Sequence, residues 1–502
     1  MTTPTRRTWM IGAAAMSALA VVQRGAGLLT MMLLARLVDT RGLGAYAFTQ
    51  STNQTFYGLA RLGADVGLHV SLAAVNLKTD KARAEQLLGE SLAVFSAMAV
   101  CVAFAIMALA DPIADRLFGS PGLTPFVYAA AALFAAQAMS QYAYAAFAGL
   151  NAFAAYSRAS AISVVVTTVA VPLGAYFGGA LGAVWTLVAA QAGSVALMSI
   201  TLSQVMKAAG LALRPRWPGG AAGTILKLGL PLYAGGLLAV PVEFANLGFL
   251  SRSAGIEALG DLRVTQALMS VATAIPTAIA GPSMTLLTEH YAANRRSAAL
   301  LLQLKAIWIF GIAVAIVLAT LWPHAIDLVF GTGFESARKV GALAIISFLA
   351  TLLFTVAQGG LLARQAPGAF FWIGAAQAGL LALLGWLLIE RYGLGGLLLA
   401  HGMAMVIVFG LVWLVLRRHD PSLRSVAWMG WLVAASATLF VLLACDAYWQ
   451  FAATWRLLAG VVFAAAFVTA AVTRVFDAGE RLNLAAAVSA GVKALSARMR
   501  GR

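Results

Sequence analysis

The sequence predicts an all-α polytopic membrane protein of about fourteen transmembrane helices, built as two six-helix bundles related by a pseudo-two-fold along the membrane normal, plus two C-terminal helices. Three observations carry that expectation. Hydrophobic residues make up 62% of the 502 residues and charged ones only 10%, and mean hydropathy is +0.88; soluble domains carry about a quarter charged residues. Apolar runs of about 18 residues or more recur along the whole chain, each long enough for a helix to cross a hydrocarbon layer about 30 Å thick. Finally, Leu34, Arg36, Leu43, Gly44, Thr49 and Gln50 recur 216 positions later as Leu250, Arg252, Leu259, Gly260, Thr265 and Gln266. The chain is internally duplicated.

Taken in order, the spans centre near Val22, Thr55, Val100, Ala138, Thr168, Ala192, Leu238, Ala274, Ala315, Leu352, Leu381, Met405, Ser436 and Phe463, separated by polar or Gly/Pro breaks. The first run follows Arg6-Arg7 and continues unbroken to Leu37, so it reads as an uncleaved helix rather than an export signal. Residues 1–206 form the first bundle, and 207–227 a polar connector with Pro215, Pro218 and Gly219-Gly220. Residues 228–418 form the second bundle, and 419–473 the two added helices. In 474–502, Leu484, Val488, Val492, Leu495 and Met499 fall at helical spacing among Arg and Lys, which suits a basic amphipathic helix on the inner leaflet.

Two further echoes support the duplication. Pro112 to Phe118-Gly119 resembles Pro323 to Phe330-Gly331, and Gly179 to Ala183 resembles Tyr392 to Gly396. Most of the 34 Lys and Arg fall in loops and tails on the N-terminal side, among them Lys78, Lys207, Arg216, Arg295 and Arg417. The positive-inside rule therefore makes both termini cytoplasmic. The net charge of +16 is explained by topology and calls for no nucleic-acid partner. Cys101 and Cys445, the only cysteines, lack ligand spacing, so neither a disulfide framework nor a metal site is expected.

A charged side chain inside a span costs a few kcal/mol on insertion scales, so it faces a bundle interior or a watery cavity. Such residues concentrate in helices one, two, seven and eight: Arg24; Gln50, Asn53, Gln54, Arg61 and Asp65; Glu243; and Arg263, Gln266 and Glu289. Gln50, Gln54 and Arg61 can share one stripe of their helix. A cavity between the halves follows. Subtracting the repeat offset takes Glu243 to Gly27, one turn from Arg24, so Arg24 and Glu243 are expected to face each other across it. Arg36 and Arg252, at the outer ends of helices one and seven, are expected to be structural anchors of the repeat. Pro231, Pro241, Pro276 and Pro282 are expected to interrupt helices seven and eight. Tyr142 and Tyr144 are candidates for stacking on sugars.

The run from Arg24 through Leu33-Leu34-Ala35-Arg36, then Gly42 to Ala47, then Leu62-Gly63, resembles the N-terminal signature of Wzx-type polysaccharide transporters. These are the lipid-linked oligosaccharide flippases of the multidrug and oligosaccharidyl-lipid exporter superfamily. The resemblance implies a V-shaped pair of bundles in a bacterial inner membrane. It would alternate between inward-open and outward-open states, moving an undecaprenyl-diphosphate-linked glycan to the periplasmic leaflet, with membrane lipids and other polysaccharide assembly proteins as partners. Relatives have a cationic cavity, which Arg24, Arg61 and Arg263 would supply here; guanidinium pairs bidentately with phosphate and stays charged. Gln50, Asn53, Gln54 and Gln266 would exchange hydrogen bonds with sugar hydroxyls. Asp65, Glu243 and Glu289 partly offset the cations and suit proton or sodium coupling; no other cofactor is implied.

Two alternatives stand beside this reading. A cation-coupled multidrug exporter of the same superfamily would favour an acidic or aromatic cavity. A membrane-embedded glycan polymerase or ligase would need catalytic groups on a large outer loop, and every outer loop expected here is short, without a nucleophile–base, paired-carboxylate or metal-ligand motif. The chain therefore reads as a transporter rather than an enzyme.

Overall fold

The computed structural model describes residues 3–75, 79–217, 219–273, 298–363, 367–419, 423, 429–431, 433, 453–476 and 479. The first half comprises α1 (Thr3–Leu37), α2 (Thr40–Ala60), α3 (Ala64–Ala73), α4 (Lys81–Ala108), α5 (Thr124–Gly149) and α6 (Phe153–Ala208). The second comprises α7 (Gly220–Ala254), α8 (257–273), α9 (Ala298–Val329), the short α10 (Glu335–Lys339), α11 (Gly341–Ala363) and α12 (Pro367–His419), and α13 (Ala453–Val475) follows it. Every expected span centre falls in one of these helices except Ala274 and Ser436, which lie outside the described residues, as do Glu289, Pro276, Pro282 and the tail beyond 479. Among the described residues, seven helices are apolar and long enough to cross a membrane. Side chains such as Val165, Val169 and Phe177 are exposed, which suits a lipid-facing surface.

The structure departs from expectation in four places. The second span is not one helix: it breaks between α2 and α3, where Leu62 (φ +44°) and Gly63 (φ +73°) both turn left-handed. The connector is shorter than 207–227, because α6 continues to Ala208 and α7 already begins at Gly220. Hydropathy marks only the part of a helix inside hydrocarbon, and polar turns extend it beyond. α7 also stays helical through Pro231 and Pro241, which were expected to interrupt it; neighbouring helices and side chains can compensate a proline's missing amide in a membrane protein. Tyr142, a candidate for sugar stacking, is instead core: it is buried and its hydroxyl donates to the Leu88 carbonyl at 3.1 Å. Tyr144 packs against Tyr156 within the same bundle.

Helices α1–α6 pack on one another, as do α7, α9, α11 and α12, with α13 against α9. α6 and α12 are each a pair of antiparallel helices, folded back at Gly179 (φ +58°) and Gly393 (φ +53°). Both turns fall within the second sequence echo, one position apart, since Gly179 stands opposite Tyr392 and Gly393 opposite Ala180; the left-handed backbone at each is one that a residue without Cβ adopts freely.

The pseudo-two-fold is visible where α2 crosses α8. A Cβ on Gly44 would overlap the Ile256 carbonyl oxygen, and one on Gly260 would overlap that of Thr40. Thr40 and Ile256 are themselves 216 residues apart, as are Gly44 and Gly260. Each repeat glycine thus seats the start of the other copy's helix, the exchange that a two-fold axis between α2 and α8 requires. This crossing lies at the face opposite the N-terminus, here termed the far face.

On that side one apolar core runs through both halves, joining Leu34, Phe48 and Phe118 of the first to Phe244, Leu250 and Leu259 of the second. Phe118 and Phe244 meet across the seam with ring centroids 5.2 Å apart. Towards the N-terminal face, the first half has a separate core around Leu68, Leu87, Phe95 and Phe147. The connector is fastened there to the first half: Glu85 accepts from the Ala212 amide at 2.8 Å, and the buried Glu90 from that of Gly219 at 2.8 Å.

Candidate functional site

Each half sends a guanidinium to the other across the seam. Arg24 of α1 is half-buried and donates from Nη1 to the Ser270 carbonyl at 3.1 Å and to the Thr273 hydroxyl, both on α8. Arg263 of α8 donates in return to the Gln50 amide oxygen on α2, and the Gln50 amide donates to the Tyr46 hydroxyl at 2.9 Å. Arg24 reaches the second half, where its described partners are Ser270 and Thr273, and no ion pair joins it to Glu243 among the described residues. The partners described for both guanidiniums are neutral. A carbonyl, hydroxyl or amide satisfies donor geometry without cancelling charge, so these described partners leave both guanidinium charges in place.

Arg61 is arranged differently. It sits at the α2–α3 break, where its guanidinium lies 3.6 Å from Asp65 and 5.7 Å from the centre of the Tyr57 ring. The break turns residues 61 and 65 onto one short loop-helix junction, and the pair is neutral within its own half. Arg61 therefore contributes less to the seam's charge than Arg24 or Arg263, and Asp65 is engaged by it. Asn53 is buried and Gln54 exposed. Glu289 lies outside the described residues.

Within the second half, α7, α8, α11 and α12 enclose a pocket of about 310 Å³. Its polar lining includes Glu243, Asn246, Gln266, Thr273, Thr351 and His401, among apolar side chains such as Leu262, Met269 and Phe348. Asn246 donates to the Leu381 carbonyl at 3.0 Å, and Thr351 lies 3.3 Å from His401 Nε2 and donates to the Ser347 carbonyl at 2.7 Å. Glu243 and Gln266 were singled out in the sequence, whereas Ser347, Thr351 and His401 were not. His401 carried a signal: an ionisable residue within an apolar span is by default a functional candidate. No group of three or more metal-ligating side chains occurs among the described residues.

The repeat anchors Arg36 and Arg252 close the far face as a matched pair. Arg36 of α1 donates to the Leu328 carbonyl at 2.7 Å, and Arg252 of α7 donates to the Arg116 carbonyl at 3.0 Å, so each reaches into the opposite half. Arg116 and Leu328 stand two residues before Phe118 and Phe330, the aromatic positions of the first sequence echo. The acceptors are thus as duplicated as the donors. Arg116 belongs to a π-helical turn, Pro112–Leu117, and the Ser251 hydroxyl adds a bond at 3.1 Å to the Phe118 carbonyl just beyond it.

Two helical bundles related by a pseudo-two-fold, joined at one face and bridged by Arg24 and Arg263, define a polytopic membrane protein. Similar folds are found in an inward-facing multidrug resistance MATE family transporter of the MOP superfamily (14% identity, 82% of this chain and 99% of that one, TM-score 0.64) and in the lipid II flippase MurJ in an inward closed conformation (12% identity, 92% and 98%, TM-score 0.65). A MOP superfamily transporter from Pyrococcus furiosus, described as having a binding pocket of reversed polarity, is also similar (13% identity, 82% and 96%, TM-score 0.56). Residues 33–339 match the polysaccharide biosynthesis protein family, and the chain belongs to that family. No curated protein matches it.

Proposed function

We propose that this transporter flips an undecaprenyl-diphosphate-linked oligosaccharide, an O-antigen or exopolysaccharide repeat unit, from the leaflet on its N-terminal side to the opposite one. The N-terminal side is the cytoplasm of a bacterium and the membrane its inner membrane, as the distribution of Lys and Arg supports. One observation carries the substrate class: Arg24 and Arg263 each cross the seam with only neutral partners described for them. A diphosphate compensates two guanidiniums drawn out of water, and charge-assisted bonds to phosphate are roughly twice as strong as neutral ones. Those bonds form at the expense of Arg24–Thr273 and Arg263–Gln50, both of which tie the halves together. Substrate entry therefore loosens the seam and lets bundles 1–206 and 228–418 rock about it, with 419–473 as attached helices and 474–502 on the cytoplasmic surface. Glu243, open to the pocket of the second half, is the described carboxylate best placed for a coupling cation. The same carboxylate is what favours the alternative, a cation-coupled drug exporter.

The deciding experiment replaces Arg24 in a strain lacking its own copy and follows surface glycan alongside the abundance of folded protein. Arg24→Ala and Arg24→Glu are expected to abolish surface glycan at normal abundance, while Arg24→Lys, which keeps a point charge without the bidentate fork, retains part. Full glycan export by Arg24→Glu, or resistance to organic cations lost in its place, would overturn the reading.

A further inference from the structure

The Arg24 site and the pocket of the second half share a wall. Thr273 accepts the Arg24 hydrogen bond and also lines the pocket. In a diphosphate-linked glycan the first sugar hangs from the diphosphate through a single oxygen. A diphosphate held on Arg24 therefore presents that sugar, and no other part of the glycan, to the pocket mouth beside Thr273. We propose that this pocket is the subsite for the first sugar, an inference that rests on the diphosphate reading of Arg24.

The lining has the chemistry of a sugar site. Glu243 offers carboxylate oxygens to ring hydroxyls. Asn246 spends its Nδ2 on the Leu381 carbonyl, Gln266 offers an amide donor and acceptor, and His401, whose Nε2 is paired with Thr351, adds a polar ring to the wall. Leu262, Met269 and Phe348 provide apolar surface for the carbon-bound hydrogens of a ring. At about 310 Å³ the pocket stands at the lower end of the range of roughly 300–1,000 Å³ for small-molecule sites, so it holds one ring and leaves the rest of the glycan in the seam. The first half does not reproduce it. The positions matching Glu243, Met269 and Thr273 are Gly27, Asn53 and Tyr57, and Gln50, which matches Gln266, is already engaged by Arg263 and Tyr46. Selection of the glycan by its first sugar thus belongs to the second half alone.

The test uses the full-length protein in nanodiscs and two probes: undecaprenyl diphosphate, and the same lipid bearing one hexose or one N-acetylhexosamine. The better of the two sugars is expected to bind wild type about ten-fold more tightly than the bare lipid, the worth of one or two hydrogen bonds to a preformed pocket. Thr351→Leu and Ser347→Leu, which fill the pocket with an apolar branch, are expected to remove that increment and leave the bare lipid bound as before. Thr351→Ser keeps the increment, and thermal unfolding verifies that each variant is folded. Arg24→Ala is expected to weaken both probes by the same factor. If both sugars bind wild type no better than the bare lipid, or if the folded pocket variants keep the increment while Arg24→Ala weakens both probes, the subsite is overturned and the diphosphate reading stands. If Arg24→Ala weakens neither, the diphosphate reading falls and the subsite with it.

Discussion

The second span of the first half and its copy in the second half begin alike and then part. α2 and α8 share Gly44 with Gly260 and Thr49 with Thr265, and they cross with each glycine against the other helix's first turn. Further along, the first copy breaks at Arg61–Gly63 and folds its charges into an internal pair with Asp65. The second copy carries Arg263 and Thr273, which reach the other half, and Gln266, which lines a pocket. What was kept after duplication closes the molecule: the crossing glycines and the two guanidiniums on far-face carbonyls. What diverged, namely Arg24 (matched by Val240), Glu243 (by Gly27) and Arg263 (by Ala47), meets at the seam and the pocket. Symmetry suits a hinge, because two equivalent contacts can open and close together, whereas a glycan is not symmetric and is read by groups that occur once.

The largest effect expected from breaking this comparison is at the crossing. A Cβ at Gly44 or Gly260 meets backbone oxygen, which cannot rotate away, so Gly44→Val and Gly260→Val each cost about 1–3 kcal/mol of overpacking in the closed far face. That shifts the balance of closed and open forms roughly five-fold to more than a hundred-fold. A cysteine placed at Thr40 and probed with a membrane-impermeant maleimide should label faster in both variants, and by similar factors. Labelling unchanged from wild type would show that the crossing is not where the far face closes.

Much of this frame was legible in the sequence, for physical reasons. Spans are set by the length of apolar runs, and the duplication survives as residue identities because a close backbone approach tolerates only glycine. The matched acceptors of Arg36 and Arg252 were not legible, since a carbonyl has no side-chain signature; only the Phe118-Gly119 and Phe330-Gly331 echo marks where they are. The Arg61–Gly63 break was hidden because Leu62 adopts a left-handed conformation that its residue type does not announce. The pocket was hidden too: Ser347, Thr351 and His401 are single polar residues in apolar helices, brought onto one cavity by packing alone. Asp261, likewise overlooked, is buried and accepts from the Ala337 amide at 3.3 Å, tying α8 to α10 in a way no local spacing reveals.

The Arg61–Asp65 pair should give the next largest effect, one confined to the first half. Its side chains are 28% and 11% exposed, so removing one partner leaves the other charge partly buried, a cost of up to about 3 kcal/mol. Asp65→Asn and Arg61→Gln should each lower the thermal midpoint, and the double variant should lower it by less than the sum of the two. Strict additivity would mean that the two side chains do not act as a pair.

Smaller still, and a direct measure of the symmetry, are the far-face guanidiniums. Arg36→Ala and Arg252→Ala each remove one hydrogen bond to a carbonyl across the seam, worth about 1 kcal/mol. The two should raise labelling of a far-face cysteine by equal factors of roughly five, and together by the product, because the bonds share no partner. A large effect from one and none from the other would break the equivalence of the halves at this face.

The smallest effect is expected where the halves differ in charge but nothing crosses between them. Arg338 pairs with Asp327 at 3.2 Å and Lys339 with Glu335 at 2.6 Å, around α10 of the second half. Asp115 matches Asp327 in the first half, whereas Phe126 stands at the position matching Arg338, so the first pair is as unduplicated as Arg24. Its side chains, however, are 42% and 32% exposed, and water screens such a pair to little or nothing. The hydrogen bond and charge of Lys339 hold the Glu335 carboxyl below its ordinary value. A carboxyl held low adds stability above its unfolded value and loses it as pH falls through the folded one, but Glu335 is fully exposed and the contribution is screened. Arg338→Gln and Lys339→Met should therefore leave glycan export unchanged, along with the thermal midpoint both at neutral pH and at a pH of about 4, near the carboxylate range. Any loss of export in either variant would show that unduplicated charge matters at the surface as well as at the seam, and the division between a duplicated hinge and a single reading site would no longer hold.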